Sequence, residues 1–258
     1  MRQRFVNQIF FRPSNEYIPC RKDEVLLQTD SGQVQLWREY SGRTAGAWRD
    51  ARLHVVRFLG SRGRAEMATL DPVDRLPNVD AAVWTLNPPA FGATSGPPDL
   101  DRYVRCAIAA LEHVSSVANG RPVWVCGKSI GTAAALAATA QVATTALILR
   151  NAMPLQSLLN EHYARRTLGA SRLLISPAIP PGLDSIANAR RCSVPALFLV
   201  SREDRVVPPA YQHRVIAAYG GSSTVIEVAG GHDDRTLRID DERRYSEGLG
   251  ALALSANL

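Results

Sequence analysis

Cysteine is scarce. The four residues at positions 20, 106, 126 and 192 of this 258-residue chain are widely spaced and form no C-x-x-C pair. That spacing excludes a thiolate metal site. Cys106 and Cys126 fall in apolar runs, where a reduced Cys acts as a small core residue. The set fits a reducing compartment. Long apolar runs are also missing. The opening stretch MRQRFVNQIFFRPSNEYIPC is interrupted at Asn7 and Gln8. It is too short for a signal-peptide core or a membrane span, so a cytoplasmic protein without an integral membrane segment is expected. Aromatics are only 7% of the residues, and the net charge of +6 is not gathered into a basic stripe. Arginines such as Arg2, Arg4, Arg12, Arg62 and Arg64 are scattered instead. No nucleic-acid partner is expected. The excess reads as a solvated surface, with a mild attraction for anionic substrates or membrane surfaces as the alternative.

What is present is an ordinary globular composition, 46% hydrophobic and 21% charged, without repeats or a low-complexity linker. One domain over 1–258 is expected. Two β-rich runs, Glu24 to Asp30 and Gln33 to Tyr40, flank Ser31-Gly32 and read as a hairpin. Six further runs follow, at Leu53 to Gly60, Ala81 to Asn87, Pro122 to Gly127, Ala146 to Asn151, Pro195 to Ser201 and Ser223 to Gly230. Several are continuously apolar, as strands buried on both faces are. Helix-length segments lie between them, clearest at Leu100 to Ala118, Gly131 to Ala143 and Pro209 to Tyr219. The alternation predicts an α/β fold: about eight strands, mostly parallel after an antiparallel hairpin, with helices on both faces. The stretch 152–192 is irregular and suggests an extra helix or a small cap.

Gly127-Lys128-Ser129-Ile130-Gly131 fits G-x-S-x-G where a strand pattern becomes a helix pattern. Such a turn lifts the serine hydroxyl above the sheet edge and leaves room only for glycine two positions to either side. The helix start presents unpaired N–H groups, so the Ile130 N–H is a candidate to hold an oxyanion.

A nucleophilic serine needs a base. His232 follows the last β-run in a Gly-rich loop, whereas His54, His113 and His213 sit inside strand or helix patterns. His162, in the irregular segment, is a weaker candidate. An orienting carboxylate is offered by Asp204, with Glu203 second, in the loop after Ser201. Ser…Asp…His is the chain order of this architecture. Asp233 and Asp234 are too close to His232 in sequence to orient it and are expected to be solvated. The Ser61 N–H, in the Gly60–Gly63 loop, is the second oxyanion candidate. Arg62 and Arg64 beside it read as surface residues or as contacts to an anionic substrate. Phe91, Leu155, Leu158 and Leu159 are candidates for an acyl pocket, although core packing is the commoner use of such residues.

With these residues in view, the chain resembles the α/β-hydrolase superfamily of serine hydrolases. It is most similar to the lid-poor branch that includes protein depalmitoylases and their bacterial relatives. The stretches QIFFRPSNEYIP, LRNAMPLQSLL, VPALFLVSREDRVVPP and AGGHDD carry the likeness. The resemblance implies a Ser129–Asp204–His232 triad, oxyanion donors at Ser61 and Ile130, no metal and no cofactor. It implies cleavage of a small-molecule ester or thioester through an acyl-enzyme. An acyltransferase, a peptidase or a non-catalytic binding protein on the same scaffold is the alternative. The chain departs from the family's pattern in having Leu59-Gly60 where His-Gly is usual, and PPAFGATSG after the Ala81 to Asn87 run.

Overall fold

The computed structural model describes residues 7, 8, 10–42, 47–234 and 236–258. Arg2 and Arg4 lie outside the described residues. Eight strands form one sheet in the order β1-β2-β4-β3-β5-β6-β7-β8. They are β1 Asp23–Thr29, β2 Gly32–Tyr40, β3 Leu53–Phe58, β4 Ala81–Leu86, β5 Val123–Lys128, β6 Ala146–Arg150, β7 Ala196–Ser201 and β8 Ser223–Val228. Strand β2 runs antiparallel to both neighbours, and every pairing from β4 to β8 is parallel. The hairpin turn centres on Asp30 and Ser31, one residue earlier than the sequence suggests. Thr29 pairs with Gly32, which opens β2 with φ +97°.

The apolar runs have the physical cause inferred for them. Every residue of β4 and of β7 is buried, because helices cover both faces of the central sheet. One face packs under α1 (Leu100–Ala118), α2 (Ile130–Thr139), α3 (Ser185–Arg191) and α4 (Pro209–Ala218). The other packs under α5 (Ile239–Ser255), through Tyr245, Leu249, Leu252 and Ala253. Helix α5 has no counterpart among the sequence expectations. Helix α2 is buried from Ile130 through Ala138, and its alanines let it lie close to the sheet. Asp99 caps the start of α1, its carboxylate accepting from Arg102 N–H at 2.8 Å, and Asn119 caps its end in the left-handed region.

The irregular stretch is largely helical. Residues 155–166 form successive short turns with a π-helical centre at Leu158–His162, and further turns at Ser171–Ile175, Ser176–Ala178 and Pro181–Leu183 lead into α3. Leu155, Leu158 and Leu159 are buried in the main core, as is Phe91. They pack in that core. Among the described residues, no helix is long and apolar enough to cross a membrane.

Candidate active site

Ser129 sits between β5 and α2 with φ 55° and ψ −124°. A non-glycine residue adopts such a conformation only where its surroundings enforce it, at a cost of about 1–3 kcal/mol. Here they do. Ser129 N–H donates to the Arg150 carbonyl at the end of β6 (3.0 Å), and the Ser129 carbonyl accepts from Thr132 N–H (2.9 Å) and Thr132 Oγ1 (2.6 Å). Thr132 Oγ1 in turn accepts from Met153 N–H at 2.9 Å, tying the turn to the chain after β6. Both flanking glycines are required. A Cβ on Gly127 would lie 2.7 Å from the Gly131 carbonyl oxygen, and one on Gly131 would overlap the Phe58 carbonyl of β3.

His232 lies beyond β8, beside Ser129. Its Nε2 is 2.9 Å from Ser129 Oγ, and its Nδ1 is 2.7 Å from Asp204 Oδ2. With Nδ1–H donating to the carboxylate, Nε2 is left free to accept from the serine hydroxyl. The Asp204 side chain is fully buried. Its Oδ1 accepts from Val206 and Val207 N–H, both at 2.8 Å, and its Oδ2 also accepts from Gln212 Nε2 at 3.3 Å. Glu203, one residue earlier, is exposed and is not the partner of His232.

Three supports have no obvious sequence signal. Asn151, at φ 56°, accepts from Ser201 N–H and donates from Nδ2 to the His232 carbonyl at 3.3 Å, joining the ends of β6 and β7 to the histidine loop. Gln212 braces the acid loop from α4, donating also to the Val207 carbonyl. Asp234 is exposed, as expected, yet its carboxylate accepts from Gly231 N–H at 2.8 Å and shapes the turn that carries His232. His162 is packed edge-on against Tyr163 and Tyr211, and its hydrogen-bonding groups do not enter the Ser129–His232–Asp204 chain.

The loop after β3 lies against the serine. A Cβ on Gly60 would fall 3.6 Å from Ser129 Cβ. Three of its carbonyls have partners of their own. Leu59 O accepts from the Tyr103 hydroxyl, Gly60 O from Gly63 N–H (2.9 Å) and Ser61 O from Arg12 N–H (3.2 Å). C=O and N–H point in opposite directions across a trans peptide. Fixing the Gly60 carbonyl in this turn therefore also fixes the direction of the Ser61 N–H. Ile130 is the first residue of α2, so its N–H has no acceptor within the helix.

Arg64 departs from its sequence expectation. It is buried, neither a surface residue nor a group offered to substrate. Its guanidinium pairs with the buried Glu66 (2.6 and 3.1 Å) and donates to the Ser14 and Glu16 carbonyls (2.7 and 3.0 Å). Asn87 joins this network, donating to Glu66 and accepting from Ala65 N–H. Burial alone would raise the Glu66 pKa, but the hydrogen bonds from Arg64 and Asn87 bring it below its ordinary value. Arg62, by contrast, is exposed.

No protein-family model matches the sequence, and no curated protein matches it. Solved structures do. An esterase from Pyrococcus furiosus superposes with a TM-score of 0.66 at 14% identity, covering 95% of this chain and 97% of its own. Est1E from Butyrivibrio proteoclasticus gives 0.65 at 13% identity, covering 90% and 98%. A Xanthomonas campestris α/β serine hydrolase without a lid gives 0.57 at 14% identity, covering 94% and 97%. At such identities the likeness speaks to architecture, and it agrees with the strand order and the strand–serine–helix turn described above: the chain has the α/β-hydrolase fold.

Proposed function

We propose that the protein is a serine hydrolase that cleaves a carboxylic ester or thioester of a small molecule through an acyl-enzyme. The observation that carries this reading is the unbroken chain from Ser129 Oγ through His232 to the buried Asp204, built on a strained serine. The presence of an esterase and a serine hydrolase among the structural neighbours supports it.

In the proposed reaction, Ser129 Oγ attacks the acyl carbonyl carbon as His232 Nε2 takes its proton. Asp204 holds the imidazole in the required tautomer and stabilises the imidazolium. The carbonyl oxygen, now an oxyanion, is held by the Ser61 and Ile130 N–H groups at the positive end of α2. The C–O or C–S bond then breaks, and His232 passes its proton to the leaving group. Water, deprotonated by His232, attacks the acyl-enzyme; the bond to Ser129 Oγ then breaks as His232 returns the proton to that oxygen, releasing the acid and the free serine. Side chains on the protein itself supply every proton transfer.

The chain is read as one domain. The stretch 152–192 forms a small insert beside the acid loop, where Tyr163 donates to the Val206 carbonyl and Glu161 pairs with Arg214 of α4. The four free thiols, three of them buried, suit a cytoplasmic protein.

The test is hydrolysis of p-nitrophenyl esters of increasing acyl length by wild type and Ser129→Ala. Turnover by the wild type and none by the variant is expected, and the length profile sizes the acyl site. Equal rates for the two proteins would sink the proposal.

A further inference from the structure

A second feature stands at the other end of the sheet. Ser129 follows the last residue of β5. The cavity in question borders Arg121, before the first residue of β5, together with Asn119 at the end of α1 and Asp50 ahead of β3. Its volume of about 580 Å³ falls in the range of small-molecule sites. Trp48, Trp84, Val25 and Val117 give it apolar walls. Trp84 is fully buried and Trp48 meets it edge-on at 5.3 Å, so the aromatic corner is rigid.

Three guanidinium groups line the same space. Arg38 lies 3.6 Å over the Trp48 ring and 5.2 Å from Trp84. Arg49 stacks on Trp48 at 4.5 Å. Arg121 donates to the Arg49 carbonyl and stands 3.5 Å from Asp50. Arg38 is only partly satisfied. Its Nη2 pairs with Asp23 at 2.8 Å, but its Nε is buried without an acceptor among the described residues. Asp23 and Asp50 offset two of the three positive charges, leaving a site suited to a single negative charge.

We propose that this cavity binds an organic monocarboxylate with an apolar body, separately from the Ser129 site. The carboxylate takes the planar guanidinium edges of Arg38 and Arg121, and the apolar body lies against Trp48, Trp84, Val25 and Val117. The inference does not depend on the reading of Ser129.

The test is calorimetric titration of the protein with 3-phenylpropionate and, separately, with 3-phenylpropanamide, which has the same body and no charge. Saturable one-to-one binding of the acid, at least ~tenfold tighter than the amide, is expected from charge-assisted hydrogen bonds. Arg38→Gln and Arg121→Gln should each weaken the acid by a similar factor while leaving the amide unchanged. Arg121 is half-exposed, so its variant tests the site even where Arg38→Gln fails to fold. Equal binding of acid and amide, no saturable binding, or full retention in folded Arg121→Gln would overturn the proposal.

Discussion

Gly131 of α2 lies directly against the carbonyl of Phe58 in β3, so close that a methyl group at Gly131 would overlap that oxygen. The contact seats the start of α2 on the sheet and sets where the Ile130 N–H and Ser129 stand. Backbone cannot yield as a flexible side chain can. Gly131→Ala is therefore expected to destabilise the protein by about 1–3 kcal/mol or more, the usual cost of overpacking. It should also slow turnover more than its stability loss explains. Urea unfolding and ester hydrolysis at a temperature where the variant is folded check both parts.

Asp204 and Glu203 make contrasting expectations. In Asp204→Asn an oxygen can still accept from Val206 and Val207 N–H, so the loop should hold. The group facing His232 Nδ1 would then favour the wrong tautomer, and kcat should fall by about 10⁴-fold. Glu203 is exposed, and Glu203→Gln should leave kcat within about twofold, as surface changes generally do. Steady-state kinetics of the two variants decide which carboxylate acts.

Arg64 and Glu66 form a buried pair that fastens the Ser61 loop to the chain at Ser14 and Glu16. Arg64→Met alone would strand the Glu66 carboxylate and should cost about 3–5 kcal/mol. Arg64→Met with Glu66→Gln removes both charges and should cost less than the single change. Unfolding free energies of the single and double variants, combined as a cycle, give the coupling.

His54 supplies a pH dependence of stability. It is buried, and burial first, then the nearby Arg121, lower its pKa from 6.5 to about 4. Its Nδ1 accepts from Trp84 Nε1 at 3.3 Å, which fits the neutral ring. Between pH 4 and 6.5 the unfolded chain binds a proton at this residue that the folded chain refuses. The contribution is therefore complete above pH 6.5 and is lost as pH falls toward 4. Its full size is on the order of 3 kcal/mol. Unfolding free energies of wild type and His54→Gln from pH 7.5 to 4.5 should converge as the pH drops.

Much of this arrangement is legible in the sequence. The central strands announce themselves because both faces are covered, and G-x-S-x-G is legible because its glycines answer a local steric demand. What stayed hidden depends on partners distant in sequence. Helix α5 spaces Tyr245, Leu249, Leu252 and Ala253 on one face, but Gly248, Gly250 and an acidic first turn blur the pattern. Arg64 looks like any loop arginine until Ser14, Glu16 and Asn87 converge on it. Asn151, Thr132 and Gln212 act through bonds to segments that meet only in the fold. Leu155, Leu158 and Leu159 show the converse: their spacing suits a pocket lining or a core face, and the structure uses it for the core.

The most direct measurement is the intact mass of the protein after exposure to a fluorophosphonate, with the adduct mapped by peptide sequencing. A nucleophilic Ser129 activated by His232 should give one adduct, located on Ser129. It should be absent in Ser129→Ala and slowed at least ~100-fold in His232→Ala. Folded wild-type protein that takes up no adduct, or takes it up at another residue, would contradict the proposed mechanism.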